Sequence, residues 1–393
     1  MMRGGQGNKE LVIITKYFAP VNVVDSNSVY DLCQKLLLID SSLKIHIVTT
    51  AINYKSNVKL RDFDNSIISK LSIHRVELTA IFGQFGFLRV LNDAVTGILL
   101  TLKARRLKVN TIISLSNPPL VNTWCSLLLW KRKYVYWSFD LFPEALFASN
   151  LVNPRGLIGR CLSWLTYSKA PKAIISLGPK QYQYLISCYS NRNIEEIILP
   201  CGIHDCAPSN SIPEWFTAEK IVLGYIGNLG KAHSKEFLIN VIKEISKRSE
   251  LLLILSIYGD STKEILTIIK ENNFFANIKV VDFVRQSELV YIDVHLVSLL
   301  DNWTHVSVPS KAVSAVSSKS ALWFNGSEEC DTFNLFQNCS YHSKADSKSV
   351  SEVLNSISRL DLIVKKQSAK KISDELFTLE RQSVEQILRL TDQ

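Results

Sequence analysis

Residues 221–231 read IVLGYIGNLGK: six residues without a charge, then two glycines around an asparagine and a leucine, then a lysine. A short uncharged apolar run suits a parallel strand buried on both faces. Residues 235–247 behind it have helical spacing, so the glycines fall on a strand-to-helix turn. The same unit recurs in both directions. Downstream, residues 251–258 predict a strand, 263–272 a helix and 278–283 a strand, followed by strand 294–299, a helix-compatible stretch at 310–317 and strand 321–324. Upstream, residues 11–15 (LVIIT), 44–49 (KIHIVT), 73–78 (IHRVEL), 111–115, 134–137, 173–177 and 197–199 read as strands. Helical spacing appears at 29–38, and a long helix with a basic end at 87–108. Strand and helix in alternation imply parallel sheets covered on both faces, an α/β class.

Pro200, Cys201 and Gly202 punctuate this series ahead of a polar stretch at 204–213. The expected organisation is two doubly wound, Rossmann-like domains, residues 1–205 and 206–372, with an amphipathic tail at 373–393. Ligands of such folds sit beyond the carboxyl ends of the strands, at loops and helix N-termini.

Composition removes several classes. Of 393 residues, 47% are apolar and 21% charged, which excludes disordered and collagen-like chains. Eight cysteines are too sparse for a disulfide framework. The most apolar stretch, residues 120–130, contains Asn122 and Thr123 and runs into Lys131, Arg132 and Lys133, short of a membrane span. The polar start, MMRGGQGNKE, leads to the expectation of a cytoplasmic protein without a secretory signal. Charge is divided unevenly: residues 1–200 carry 24 Lys and Arg against 12 Asp and Glu, whereas the rest carries 21 against 24. A basic half beside a nearly neutral one points to an anionic partner for the first half. No helix-turn-helix, zinc or RNP signature accompanies the charge, so nucleic acid is not expected.

Candidate site residues follow from the strand exits. Gly227, Asn228, Gly230 and Lys231 form a turn able to cradle a phosphate, yet match neither a dinucleotide fingerprint nor a Walker A loop. Pro309, Ser310 and Lys311 open a helix, where a lysine can pair with a diphosphate. Asp140 and Glu144 lie among aromatic residues at the end of strand 134–137, with Glu144 also suited to the helix that Pro143 starts. The neighbouring strand ends in Ser116, Asn117, Pro118 and Pro119. Cys201, His204 and Cys206 have a spacing that matches no common zinc set, and no metal is expected there.

In order, these landmarks resemble retaining GT-B glycosyltransferases of family GT4, in particular the bacterial branch that builds capsule, O-antigen and colanic acid. Tyr17-Phe18-Ala19-Pro20 is similar to that family's Y-F-P-P exit from the first strand, and Ser116–Pro119 and Asp140–Glu144 to its S-x-P-P and D-L-x-P-E segments. Cys201-Gly202-Ile203-His204 stands where the family has N-G-V-D. Tyr225–Gly230 resembles Y-x-G-N-x-G, followed by His233; Tyr258-Gly259-Asp260 resembles V-G-D-G, Asp293-Val294 the A-D-V strand, and Pro309-Ser310-Lys311 the P-S-K segment. The resemblance implies two Rossmann-like domains facing across a cleft, with a C-terminal helix crossing back to the first. It implies a hexosyl- or N-acetylhexosaminyltransferase with a nucleotide-sugar donor, UDP favoured, and no required metal or other cofactor. Lys311 would stabilise the leaving diphosphate and Asp140 would orient or deprotonate the acceptor. Donor contacts would come from Gly227, Asn228, Gly230, Lys231, Tyr258, Gly259, Pro309, Ser310 and Ser314. Tyr17, Asn117, Pro118 and Glu144 would meet the acceptor, a polyprenyl-diphosphate-linked saccharide. An anionic membrane surface would then face the basic half, through residues 85–108 and 155–172 with Trp164.

Three departures stand out. The family's paired glutamates, with seven residues between them, fall on Val306 and Ser314; the glycine-rich first loop is replaced by residues 21–28 (VNVVDSNS); and A-x-G-x-P reads Ser317-Ser318-Lys319-Ser320-Ala321. These departures keep open a non-catalytic homologue serving as a partner subunit, or a sugar-nucleotide epimerase.

Overall fold

The structure, a computed structural model, describes residues 9–51, 63–77, 86–189, 193–205 and 212–392. Cys206, Phe85 and Leu78 lie outside the described residues, as does most of the polar stretch after His204. Contacts divide the chain into two units, Met1–Cys201 with Leu379–Gln393, and Gly202–Thr378.

The first unit holds a seven-stranded parallel sheet made of β1 (Glu10–Ile14), β2 (Lys44–Thr50), β3 (Leu71–Val76), β4 (Thr111–Leu115), β5 (Lys133–Trp137), β6 (Ala173–Ser176) and β7 (Glu195–Ile198), in the order 3-2-1-4-5-6-7. The second holds β8 (Ile221–Asn228), β9 (Leu251–Tyr258), β10 (Ile278–Val280), β11 (Val294–Ser298), β12 (Ala321–Asn325) and β13 (Ser340–His342), in the order 10-9-8-11-12-13. Every pairing within both sheets is parallel. The uncharged runs form the central strands: β4, β6, β11 and β12 are buried at every position. Strands β3, β7 and β10 stand at edges and alternate or end in exposed residues. Burial on both faces is what makes the central runs continuous rather than alternating.

Helices reach further than their apolar spacing suggests. The first spans Val24–Ile39 and takes Asp25 into its first turn. The last is a single helix, Arg359–Asp392, which begins ahead of the tail read from sequence. Its buried positions include Leu362, Ala369, Leu376, Ser383 and Leu390, one every seventh residue. Two short helices, Asp331–Phe336 and Ser347–Ser356, and strand β13 between them had no counterpart in the sequence reading.

Each unit anchors its own part of that helix. In the second, Lys366 Nζ lies 2.5 Å from Asp293 Oδ1, while Asp293 Oδ2 accepts the Val222 backbone N–H at 2.8 Å. In the first, Ser383 Oγ donates to the Ile198 carbonyl at 2.6 Å, Lys35 pairs with Glu380, and Lys9 Nζ lies 2.7 Å from Asp392. Val222 is fully buried, so Asp293→Ala strands its N–H as well as releasing Lys366. We expect that variant to be less stable by about 1–3 kcal/mol, read as a lower urea midpoint at an unchanged slope.

Candidate functional site

Where strand order reverses, successive crossovers go to opposite faces and leave a crevice at the strand ends. The reversal falls between β1 and β4 in the first unit and between β8 and β11 in the second. Both candidate sites form there.

In the first unit, the Lys16 N–H donates to the Asn117 carbonyl at 3.1 Å, tying the two exits together. A cavity of about 230 Å³ opens beside them, lined by Lys16, Tyr17, Asp25, Asn117, Phe139 and Asp140 together with Arg89, Asp93, Ser116, Pro119 and Phe142. Lys16 Nζ lies 2.5 Å from Asp93, and Arg89 reaches the same carboxylate at 4.0 Å. Asn117 Nδ2 donates to Asp25 Oδ2 at 2.5 Å. Burial pushes the Asp25 carboxyl up to about 6; the Asn117 bond opposes the rise and the charge of Asp140 adds to it.

Tyr17, Asn117 and Asp140 therefore share one cavity, whereas Pro118 is buried and its neighbour Pro119 does the lining. Glu144 points elsewhere. It starts the helix Glu144–Ala148, is buried, and accepts hydrogen bonds from Tyr167 (2.7 Å) and Tyr184 (3.3 Å). Burial raises its carboxyl, and its Oε2 is buried without a hydrogen-bond partner. Glu144 is thus a core group rather than a neighbour of Asp140's cavity.

In the second unit, the turn after β8 approaches the helix Ser310–Ser317, whose N-cap is Pro309. Lys311 Nζ donates to the Asn228 carbonyl at 2.8 Å and to the Tyr225 hydroxyl at 3.0 Å, and sits 4.4 Å from that ring's centroid. Both hydrogen-bond partners are uncharged. Burial accordingly pushes the ammonium down to about 7, although part of the side chain remains open to solvent. The His233 Nδ1–H donates to the Ser298 carbonyl at 2.5 Å; burial, then the charge of Lys311, push this imidazole down to about 3, so it is neutral. The Ser234 N–H is held by Ser298 Oγ at 3.0 Å, and Ser234 caps the following helix.

Backbone geometry explains the glycines. Gly227 has φ +119°, and a Cβ there would meet nothing within 4 Å, so its surroundings are open. Gly259 has φ +110°, and its Cβ would stand 2.3 Å from Asn228 Oδ1. Tyr258 and Lys231 are exposed. Ser314 is already engaged: its Oγ donates to the Gly202 carbonyl at 3.1 Å. Val306 is buried. His204 Nδ1 contacts the Gly202 carbonyl at 2.8 Å, and Cys201 Sγ lies 3.0 Å from Ser28 Oγ. Among the described residues, no three His, Cys, Asp or Glu side chains gather as a metal set.

Sequence reading passed over Asp25, Lys16, Asp93 and Arg89 as site residues. Asp25 stood in the quoted loop at 21–28, but its partner Asn117 is 92 positions away, and Lys16 and Asp93 are 77 apart. Gly227→Ala should cost about 1–3 kcal/mol from the left-handed backbone alone. Gly259→Ala adds a clash and should cost more, with both variants compared by urea denaturation.

By structure the chain is similar to three glycosyltransferases. WaaG, a glycosyltransferase involved in lipopolysaccharide biosynthesis, matches with a TM-score of 0.68 at 12% identity, over 95% of this chain and 98% of that one. Anabaena HepE, in complex with UDP and glucose, gives 0.63 at 13% identity over 96% and 98%. Sucrose-phosphate synthase from Thermosynechococcus elongatus gives 0.71 at 11% identity over 97% and 98%. No protein-family model and no curated protein matches the sequence. Two parallel-sheet, Rossmann-like units of this arrangement along the chain are the GT-B fold of those glycosyltransferases.

Proposed function

We propose that the chain is a retaining glycosyltransferase of the GT4 surface-polysaccharide kind, moving a hexosyl or N-acetylhexosaminyl group from a UDP-sugar to a polyprenyl-diphosphate-linked bacterial glycan. The observation that carries this reading is Lys311. It stands in the first turn of a helix, held against Asn228 and Tyr225, beside a glycine whose surroundings are open. A diphosphate there would meet a cation and helix amides together, which is how developing charge on a leaving group is stabilised without a metal. Asp140, exposed at its cavity, would orient the acceptor hydroxyl or take its proton. The similarity to HepE in complex with UDP and glucose supports UDP, and that to WaaG supports a surface glycan.

A lysine poised near 7 makes donor binding pH-dependent. Below that value the empty site is already cationic; above it, binding a diphosphate must take up a proton, so UDP affinity falls as pH rises from 7 to 9. Saturating UDP should raise the melting temperature, with about 2.7 kcal/mol added at roughly 100 times Kd. Lys311→Ala should weaken UDP by about 10- to 100-fold and remove the pH slope, measured by calorimetric titration. A chain that binds UDP but never releases it from a UDP-sugar is the non-catalytic partner subunit, and one that converts the donor without an acceptor is the epimerase.

We place the enzyme at the inner face of the cytoplasmic membrane, docked through its first unit. Between Asp93 and Glu195 only Asp140 and Glu144 are acidic, against thirteen Lys and Arg. The helix Leu157–Tyr167 in that span exposes Leu157 (86%), Ile158 (64%) and Trp164 (69%), and Trp130 (63%) is exposed beside Lys131. Exposed apolar side chains on a strongly basic span favour an anionic interface. Among the described residues no helix is long and apolar enough to cross a membrane. Vesicles containing phosphatidylglycerol should co-sediment the protein and phosphatidylcholine vesicles should not; Leu157→Ser with Trp164→Ser should abolish the binding, and a variant bound as before would exclude this face.

A further inference from the structure

The cavity at the exits of β1, β4 and β5 carries more than the transferase reading asks of it. At about 230 Å³ it is smaller than the roughly 300–1,000 Å³ of ordinary ligand pockets, so it admits one end of a molecule rather than a glycan chain. Its walls combine three aromatic rings, Tyr17, Phe139 and Phe142, with three carboxylates, Asp25, Asp93 and Asp140. Of its two cations, Lys16 lies against Asp93 at 2.5 Å, while Arg89 reaches that carboxylate only at 4.0 Å. Among the described residues the lining sets three carboxylates against two cations, a net acidic balance that disfavours an entering anion. A sugar ring suits the walls better, since its C–H faces pack on aromatic rings and its hydroxyls donate to carboxylates.

We infer that this cavity is a hydroxyl-reading subsite for a single neutral sugar ring, in which Asp25, positioned by Asn117 and paired with Asp140, accepts the hydroxyl hydrogens. The inference rests on the transferase reading only in taking that ring to be the acceptor's terminal sugar. Asp25 occupies the loop where the GT4 pattern has glycines, so the carboxylate is a feature of this chain. Asn117 after β4, Asp140 after β5 and Lys16 after β1 act on its charge, while Asp93 and Arg89 on the helix Gly86–Arg106 share the cavity and the neutral Cys201 thiol lies within reach of its field. Burial and Asp140 lift its carboxyl to about 6, so hydroxyl binding should weaken as pH falls through that value.

The test uses the full chain labelled with carbon-13 at aspartate Cγ, with Asp25 assigned as the signal missing from Asp25→Asn. Its titration should centre near 6, move lower in Asp140→Asn as the neighbouring charge goes, and move higher in Asn117→Ala. A panel of methyl hexosides should shift the Asp25 and Asp140 signals, inorganic phosphate should not, and Asp25→Asn should weaken the best glycoside roughly tenfold or more, read from Asp140. A titration in the ordinary carboxylate range, a response to phosphate instead of glycosides, or no response to either overturns the inference. A glycoside response in a chain that binds no UDP would leave the subsite standing and defeat the transferase reading, so the two fail separately.

Discussion

Parallel strands set the terms for this chain. A parallel strand cannot turn back on itself, so each must be followed by a crossover, and a sheet buried on both faces needs crossovers on both sides. Wherever the crossovers change sides, the backbone at the strand ends is left uncovered. The two reversals, β1 beside β4 and β8 beside β11, are therefore where polar groups can accumulate without being sealed into a core. Lys16, Asn117 and Asp140 collect at one and Asn228, His233 and Lys311 at the other, although they come from segments far apart in sequence.

The two sites use electrostatics in opposite senses. Lys311 is surrounded by a carbonyl, a phenol and a neutral histidine, none of which compensates its charge. A cation kept without a counter-ion and lowered to about 7 is costly to hold in the empty protein and gains most when an anion arrives. The cavity of the first unit has the reverse bias. Its lining sets Asp25, Asp93 and Asp140 against Lys16 and Arg89, a net acidic balance that suits donors of hydrogen bonds rather than anions.

Much of this was legible before the structure. The uncharged runs located the central strands, because double-sided burial leaves no room for an unpaired charge; β13, three residues long with tyrosine its one large apolar side chain, offered no such run. The start of the last helix escaped notice because its first turns bury only Leu362 and Ala369 and leave the apolar Leu360, Ile363 and Val364 exposed, so no apolar face stands out. Lys311 and the Gly227 turn were visible as motifs, since each chemistry is local to a few positions. Asp25 was not, because its meaning comes from contacts across 92 residues. Glu144 misled for the opposite reason: it lies near Asp140 in sequence, but the turn at Phe142 and Pro143 carries it inward to Tyr167 and Tyr184.

The replaced glutamates are the last point at which sequence and packing must agree. Gly202 sits so close to the helix Ser310–Ser317 that a Cβ on it would stand 2.7 Å from the Ser310 carbonyl and 2.9 Å from Ser314 Oγ. In that space the Ser314 hydroxyl works because it can donate to the Gly202 carbonyl. A carboxylate in its place has no proton to give and would face a carbonyl lone pair at contact distance. Serine at 314 therefore closes this backbone approach with a hydrogen bond that a carboxylate could not donate.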